Sequence, residues 1–356
     1  MTLNLLELTF DELAAALKRR YGRGAYHAAA LMREMFGRAN PRAFEAPQVL
    51  ASPQLERRLR DDLAPVPGTV VEERQSQGVV KFVTRFADGC AVESVVLPMA
   101  THATVCVSSQ VGCRMGCRFC ETARMGRVRD LGPAEIVAQV WWARRRFGAR
   151  VRNVVFMGMG EPLDNYAALV RAVRVLNDQR GLDVALRHMT VSTCGLADGI
   201  ERLAGERLPG LKLAVSLNAA DDALRDRLMP VNRRFPLARL GAALAAYPLG
   251  KNDAVMAAYV LIPGVNDNAR DVRAVARFLA PLKSRINLIP FNPGDGRFPH
   301  EAPDEAQIEE FARRLADAGV FVCRRNTKGR DLMAACGQLG GGYQPPPGSL
   351  RMVGDG

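Results

Sequence analysis

The segment Cys113-Arg-Met-Gly-Cys117-Arg-Phe-Cys120 places three cysteines on one short stretch of chain, shortly after the apolar run 104–108. Thiolates are the ligands that soft metals and iron–sulfur clusters prefer. A loop with three thiolates suits a [4Fe-4S] cubane, in which three irons are held and the fourth stays open to a small chelating ligand. The C-x3-C-x2-C spacing therefore predicts an iron–sulfur site that follows a strand.

Two other interpretations of these cysteines remain. A structural zinc ion usually has four protein ligands, often as two C-x2-C pairs. No second pair follows the loop, and the nearest histidine is His102. A disulfide would leave one thiol over and is typical of secreted proteins. Both alternatives are less favoured than the cluster.

The composition indicates a large domain with an anionic partner. The chain has 356 residues and 48% hydrophobic residues, enough for one large barrel and a small accessory domain. Lys and Arg total 49 against 37 acidic residues, a net charge of +12. Such a surplus favours contacts with the phosphates of a nucleic acid. The alternative is a basic surface without a nucleic-acid role.

The sequence predicts a cytoplasmic protein. No stretch approaches the roughly 20 uninterrupted apolar residues of a membrane span. The chain begins Met1-Thr2-Leu3-Asn4, without a charged region ahead of an apolar core, so no signal peptide is predicted. Eight cysteines without a secretory signal are typical of reduced thiols.

Residues 1–66 are predicted to form a helical accessory domain. Thr9 and Glu12 fit a capping box at the start of one helix, and further helices are predicted over residues 26–36 and 53–62. Exposed arginines in this region could bind RNA phosphates, although any one of them is equally well explained as a solvated helix residue.

Residues 67–100 are predicted to be a short β extension or linker. Three strands, at 69–74, 79–86 and 91–97, alternate with turns. Glu93 lies within the apolar third strand, where a carboxylate could act as a base. A solvent-facing strand residue is the more conservative interpretation.

From residue 101 to 340, strands and helices alternate. Apolar runs occur at 104–108, 151–157, 187–193, 211–217, 254–262 and 285–291, with a last short strand at 320–325. Helices are predicted at 133–143, 165–177, 222–229, 237–247, 269–280 and 304–318. This alternation predicts parallel strands with right-handed crossovers, in an α/β fold built as an open (β/α)6 barrel. Residues 341–356 are a C-terminal tail.

Small and polar residues follow each of these strands. Ligands bind beyond the carboxyl ends of the strands in α/β barrels, so these residues are predicted to form a binding site. Ser192, Ser216, Asn218 and Asn292 could donate hydrogen bonds to ribose hydroxyls or an amino-acid head group, and Glu161 could accept bonds from an ammonium group. Turn formation is the alternative for each residue singly.

Two more cysteines flank this predicted site. Cys106 lies on the first barrel strand, and Cys336 lies in a loop of small residues after the last strand. A thiolate is a good nucleophile, so Cys336 could accept a methyl group; a buried, inert thiol is the alternative. Cys90, Cys194 and Cys323 are interpreted as inert.

Four ordered motifs resemble the dual-specificity RNA methyltransferases of the radical S-adenosylmethionine (SAM) superfamily. They are Cys106-Val-Ser-Ser-Gln-Val-Gly-Cys113, Met157-Gly-Met-Gly-Glu-Pro162, Asn287-Leu-Ile-Pro-Phe-Asn-Pro293 and Ala335-Cys-Gly-Gln-Leu339. The resemblance covers nearly the whole chain and is weakest before residue 65. That family methylates C2 of an adenine in 23S rRNA and of an adenine next to the anticodon in certain tRNAs. A sister family, which shares the motifs, methylates C8 of the same rRNA adenine.

The resemblance implies a role for each matching residue. Cys113, Cys117 and Cys120 would hold a [4Fe-4S] cluster. Gly160, Glu161, Ser192, Ser216, Leu217, Asn218 and Asn292 would line the SAM site. Cys336 would be methylated by one SAM, and a 5′-deoxyadenosyl radical from a second SAM would activate that methyl group for addition to the adenine. Cys106 would resolve the protein–RNA link by forming a disulfide with Cys336, and Glu93 would be the proton acceptor.

The resemblance also implies partners: 23S rRNA, tRNA and a reducing electron donor such as flavodoxin or ferredoxin, with no membrane and a monomeric enzyme. The chain departs from the family pattern at Asn218, where the family usually has histidine, and at Met333, where it commonly has aspartate. Three alternatives therefore stay open: a C8 methyltransferase, a paralogue acting on another RNA, and a non-enzymatic, metal-stabilised RNA-binding protein.

Overall fold

The computed structural model describes residues 2–293, 298–324 and 338–340, so Cys336 lies outside the described residues. Within these described ranges, ten strands form one sheet and two more form a separate hairpin. In chain order the strands are β1 (Thr69–Ser76), β2 (Val79–Arg85), β3 (Ala91–Pro98), β4 (Ala103–Cys106), β5 (Gln110–Gly112), β6 (Arg127–Asp130), β7 (Val151–Phe156), β8 (Met189–Thr193), β9 (Lys212–Ser216), β10 (Val255–Leu261), β11 (Ser284–Pro290) and β12 (Val322–Arg324).

The α-helices of the described residues are α1 (Phe10–Tyr21), α2 (Ala25–Met32), α3 (Pro47–Leu50), α4 (Pro53–Asp62), α5 (Glu121–Arg124), α6 (Pro133–Phe147), α7 (Tyr166–Asn177), α8 (Ala197–Ala204), α9 (Asp222–Leu228), α10 (Leu237–Ala246), α11 (Ala269–Leu279) and α12 (Glu305–Asp317). None of them is long and apolar enough to cross a lipid bilayer.

The large sheet follows the order β1-β2-β3-β4-β7-β8-β9-β10-β11-β12. From β4 onward its neighbours pair in parallel. At least one α-helix lies in the chain between each two successive parallel strands, as parallel pairing requires. Since β4 pairs with β3 and β7 rather than with β12, the sheet does not close. The predicted open α/β barrel is confirmed.

The antiparallel strands β1–β3 continue the same sheet. β3 pairs with β4, and β2 lies between β1 and β3. The β extension predicted at residues 67–100 is therefore hydrogen-bonded to the first barrel strand. The hairpin of β5 and β6 was not predicted, because its strands are short and β6 is charged at three of four positions.

The N-terminal helices pack against the outside of the barrel. The backbone N–H of Thr9 donates to Glu12 Oε2 at 2.9 Å, which confirms the predicted capping contact at α1. The indole Nε1 of Trp141, on α6, donates to the carbonyl oxygen of Met35 at 2.7 Å. α2 ends at Met32 and continues as a π-helical turn over Arg33–Gly37, where the sequence predicted one helix.

Strand β10 shows why the barrel has a cavity inside it. Side chains alternate between the two faces of a strand. The residues on the fully buried face are Val255, Ala257, Tyr259 and Leu261. The residues on the other face, Met256, Ala258 and Val260, line the cavity. One face of the sheet thus packs against the helices, and the other face encloses the binding cavity.

Candidate active site

Most of the predicted site residues line one cavity at the carboxyl ends of the parallel strands. Its empty volume, including the open mouth, is about 1040 Å³. All three cysteines of the loop line it. So do five of the seven predicted cofactor-binding residues: Gly160, Glu161, Ser192, Ser216 and Asn218. The remaining two, Leu217 and Asn292, are buried but do not line the cavity.

One backbone hydrogen bond ties the start of the cysteine loop to the hairpin, and another lies within the loop. The N–H of Cys113 donates to the carbonyl of Gly126 at 2.9 Å, and the N–H of Cys120 donates to the carbonyl of Cys117 at 3.1 Å. The first bond joins the start of the loop to the β5–β6 hairpin. This hairpin, which the sequence did not predict, therefore positions the first of the three thiols.

Cys113 is buried, and Cys117 and Cys120 are half-buried in the wall of the cavity. Burial raises the pKa of Cys113 to about 12. It also raises the pKa values of Cys117 and Cys120. Thiolates at these positions consequently need a cationic partner, since ligand cysteines bind metal in the deprotonated form. Three thiols converging on one cavity are a donor set that fits an iron–sulfur cluster.

Among the described residues, no three His, Cys, Asp or Glu side chains are arranged to hold a single metal ion. A cubane cluster does not require such convergence, because each thiolate binds a different iron atom. The arrangement of the three cysteines is thus compatible with a cluster, and it does not supply the four closed ligands of a structural zinc site.

Gly112 is the position where this loop tolerates a side chain least. Its φ is +76°, and a Cβ there would lie 1.8 Å from the carbonyl oxygen of Gly126. Gly126 has a similar φ of +64°, but a Cβ at that position would have no neighbour within 4 Å. We expect Gly126→Ala to cost about 1 kcal/mol for the left-handed backbone. Gly112→Ala should cost about 2–3 kcal/mol more, because the hairpin must move.

Thermal unfolding and iron content after anaerobic reconstitution check this prediction. The Gly112→Ala protein should unfold at a lower temperature than the Gly126→Ala protein and should take up less iron. Equal stability and equal iron content for the two variants would show that the hairpin does not position the loop.

Glu161 is buried, and its carboxylate is held by backbone donors. Its Oε2 accepts a bond from the N–H of Cys194 at 2.7 Å, and its Oε1 accepts one from Leu163 at 3.0 Å. Burial raises the pKa of Glu161, while these hydrogen bonds act in the opposite direction. Gly160 precedes it with φ +97°, and a Cβ there would lie 2.6 Å from Gln110 Cβ. A glycine is therefore required for β7 to turn Glu161 into the cavity.

Asn218 has a structural task besides lining the cavity. It adopts φ +54°. Its side-chain oxygen accepts a bond from the N–H of Val260 at 2.8 Å, and its Nδ2 contacts Met229 Sδ at 3.2 Å. Asparagine adopts the left-handed region more readily than most residues, which explains an amide at this strand end. The side chain joins the ends of β9 and β10.

Cys194 lines the cavity as well, although the sequence interpretation treated it as inert. Burial raises its pKa well above the usual value, so the thiol stays neutral. It directly follows β8, and its position at a carboxyl strand end was the signal that could have placed it in the site.

Arg225, on α9, is a fully buried cation behind this wall of the cavity. Its Nε donates to the carbonyl of Leu217 at 3.1 Å, and one Nη donates to the carbonyls of Cys194 at 2.8 Å and Ser216 at 3.0 Å. Its other Nη donates to Asn232 Oδ1 at 2.8 Å. One guanidinium thus joins the carboxyl ends of β8 and β9. Nothing in the sequence around Arg225 indicated this role.

Glu93 forms a buried ion pair rather than facing solvent. Its Oε1 lies 2.9 Å from the ammonium of Lys81, and both side chains are 9% exposed. Its Oε2 accepts a bond from the N–H of Gly340 at 2.7 Å. The solvent-facing interpretation is therefore wrong. The carboxylate does not itself line the cavity.

The turn at residues 338–340 connects Glu93 with the cavity. Leu339 lines the cavity, and its carbonyl accepts a bond from Thr122 Oγ1 at 2.6 Å. Thr122 lies on α5, immediately after the cysteine loop. Cys106 is buried on β4, whose partner in the sheet is β3, the strand that carries Glu93.

Comparisons with known proteins agree with this geometry. Residues 107–279 match the family model of the radical SAM superfamily. A solved radical SAM methyltransferase from Sphaerobacter thermophilus superimposes with a TM-score of 0.88 at 40% identity, covering 96% of this chain and 99% of that one.

Curated relatives are similar over almost the full length. A probable dual-specificity RNA methyltransferase RlmN 1 from Protochlamydia amoebophila is 39% identical, covering 95% of this chain and 94% of the relative. The dual-specificity RNA methyltransferase RlmN of Campylobacter fetus is 40% identical, covering 94% and 97% respectively. With this identity, this coverage and the shared fold, the chain belongs to the RlmN family of dual-specificity RNA methyltransferases within the radical SAM superfamily.

Proposed function

We propose that this protein is a radical SAM RNA methyltransferase that adds a methyl group to C2 of an adenine in 23S rRNA and of an adenine next to the anticodon in tRNA. The observation that supports this most is the meeting of Cys113, Cys117 and Cys120 with the strand-end residues in one cavity. This arrangement occurs in a chain whose full-length relatives are dual-specificity RNA methyltransferases.

The residues fit the cofactors that this function needs. Cys113, Cys117 and Cys120 would hold the [4Fe-4S] cluster, and SAM would occupy the cavity beside Gly160, Glu161, Ser192, Ser216 and Asn218. Leu217 and Asn292, which the cavity does not reach, would act from behind it. When bound, the cluster and SAM supply one-electron reduction and the transferred methyl group. A protein electron donor such as flavodoxin or ferredoxin is part of this proposal.

The residues of this chain orient the reacting groups and supply charges beside them. The many apolar side chains in the cavity wall limit the water around reactive groups, and Arg225 holds two of the strand ends together. Lys81 orients the carboxylate of Glu93 through their ion pair, and Glu93, which accepts the N–H of Gly340 behind the cavity wall, would be the proton acceptor. Cys336 would carry the methyl group and Cys106 would be its thiol partner. The N-terminal helices of residues 1–66 would contribute to RNA binding.

Nucleoside mass spectrometry tests the proposal. RNA from cells lacking the gene is incubated with reconstituted protein, SAM and a reductant. The wild-type protein should produce 2-methyladenosine, and Cys336→Ala should produce no methylated adenosine while keeping its iron. Cys323→Ala, a cysteine substitution on β12 outside the cavity, should retain activity.

The other outcomes would contradict this function in distinct ways. Production of 8-methyladenosine would assign the C8 reaction. A methylated adenosine at another RNA position would indicate a paralogue with a different target. RNA binding by a colourless, zinc-containing protein without methyl transfer would identify the non-enzymatic alternative.

A further inference from the structure

A second concave surface lies on the outer side of the cysteine loop. It consists of two adjoining depressions, and both contain Arg118, Phe298 and His300. Arg227 on α9 completes the farther depression. These four residues define the flanking groove. None of them belongs to the cavity described above.

The flanking groove shares a wall with the reactive cavity. Cys117 lines the cavity from inside and the nearer depression from outside. Arg118 is the next residue along the loop. A ligand that lies in the groove is therefore one loop thickness away from the cofactor site.

Two exposed arginines are brought together in this groove. The backbone N–H of Arg118 donates to the carbonyl of Leu228 at 3.0 Å, which joins the cysteine loop to the end of α9 next to Arg227. Among the described residues neither guanidinium has a carboxylate within ion-pair distance, and the nearby Glu121 is paired with Arg124. Two exposed cations that line one depression attract a polyanion to it.

An anchored aromatic pair borders the same groove. The rings of Phe298 and His300 lie 4.6 Å apart at 46°. Phe298 also packs at 5.6 Å against Phe291, which is buried at the end of β11. The aromatic faces are thus fixed to the barrel core. Aromatic rings on which bases stack, next to arginines that contact phosphates, are the chemistry that binds single-stranded nucleic acid.

We propose that the flanking groove binds the single-stranded nucleotides adjacent to the target adenine, with Arg118 and Arg227 on their phosphates and Phe298 and His300 stacking on an unpaired base. This inference rests on the proposed function for the identity of the polyanion as RNA. It also explains why the target would be an adenine in a single-stranded segment. An adenine can enter the cavity only when it is unstacked, and a neighbouring base held on Phe298 would keep the strand open beside it.

Binding of a labelled RNA stem–loop, measured as Kd at several KCl concentrations, tests the groove without requiring catalysis. Each phosphate contact on a single strand contributes about 0.7 to the slope of log Kd against log salt. Arg227→Ala should lower that slope by about 0.7, and Arg118→Ala/Arg227→Ala by about 1.4. Phe298→Ala should weaken binding about fivefold or more, whereas Phe298→Trp should retain it.

Arg187→Ala is the matched control. Arg187 is exposed, lacks an ion pair among the described residues and precedes β8, at the end of the barrel opposite the cavity. Its substitution should leave the salt slope unchanged. Iron content should equal that of the wild type for Arg227→Ala, which lies outside the cysteine loop.

The outcomes separate this inference from the proposed function. Unchanged salt slopes for Arg227→Ala and the double variant, with wild-type methylation intact, would overturn the groove alone. Reduced slopes in a protein that makes no 2-methyladenosine would support the groove as an RNA site and overturn the assigned reaction. An Arg187→Ala effect as large as that of Arg227→Ala would show general charge attraction and would also overturn the groove.

Discussion

Replacing Arg225 by methionine is expected to lower the free energy of unfolding by about 3 kcal/mol or more. Methionine reproduces the aliphatic stem of arginine but ends where Nε stands, so the change removes the donors, the charge and the volume of the guanidinium head. The carbonyls of Cys194, Ser216 and Leu217 would lose their guanidinium donor inside the protein. Each buried acceptor left unsatisfied costs about 1–3 kcal/mol. Urea unfolding of the purified protein measures the loss.

Arg225→Lys and Arg273→Met are the comparisons for this prediction. A lysine keeps the positive charge but lacks the planar fork that reaches several acceptors, so an intermediate loss is expected. Arg273 is exposed on α11. Its substitution should change stability by no more than about 0.5 kcal/mol. If Arg225→Met were as stable as Arg273→Met, the hydrogen bonds at the strand ends would not stabilise the barrel.

The same substitution should weaken SAM binding. Cys194 and Ser216 both line the cavity, and their carbonyls are two of the acceptors of Arg225. Loss of this bridge frees the ends of β8 and β9 to shift relative to each other. We expect a several-fold higher Kd for SAM in Arg225→Met, measured by calorimetry on anaerobically reconstituted protein that is still folded.

Replacing Lys81 by methionine is expected to cost about 3–5 kcal/mol. Lys81 and Glu93 form a buried pair, and removing one partner leaves an uncompensated charge in the interior. The double variant Lys81→Met/Glu93→Gln removes both charges. It should recover much of the lost stability, because no unpaired charge then remains in the interior.

Arg74→Met is the matched control for the ion pair. Arg74 is directly opposite Lys81 in the pairing of β1 with β2, and it forms an exposed ion pair with Glu72 at 2.7 Å. An exposed pair contributes at most about 1 kcal/mol. Similar losses for Lys81→Met and Arg74→Met, or no recovery in the double variant, would contradict the assignment of a buried, coupled pair.

Lys81→Arg separates a positioning role from general stability. An arginine keeps the charge but places it differently. It should restore most of the stability while methylation at saturating RNA stays several-fold below the wild type. Since Glu93 also accepts the N–H of Gly340, a displaced carboxylate would disturb the turn that reaches the cavity. Full recovery of both properties would indicate that Lys81 supplies charge alone.

Much of the fold could be predicted because its signals are local. Apolar runs separated by helical stretches indicate parallel strands, and the residues that follow each run must meet at one edge of the sheet. From that rule alone, Glu161, Ser192 and Ser216 are predicted to lie close together. The cysteine spacing is likewise a property of eight consecutive residues.

The elements that were missed lack such signals. The strands β5 and β6 are too short to show the alternation of apolar and polar residues that marks a strand. They are recognisable only when paired with each other. The helix α8 was not predicted either. Its eight residues include Gly199, where a Cβ would lie 2.9 Å from Leu163 Cβ, so close packing selects a weak helix former.

The order of residues along the chain sets the chemistry of the cavity, because it fixes which thiol, carboxylate and hydroxyl side chains follow the strands and hence which cofactors suit them. Which charges are buried, and which groups they contact, is visible only once the elements are packed together. Glu93 on β3 forms an ion pair with Lys81 on the adjacent strand β2. Arg225 donates hydrogen bonds to carbonyls that follow β8 and β9, earlier in the chain. The physical reason is that burial and pairing depend on neighbours distant in sequence, whereas strand ends and ligand spacings are set by residues close together along the chain.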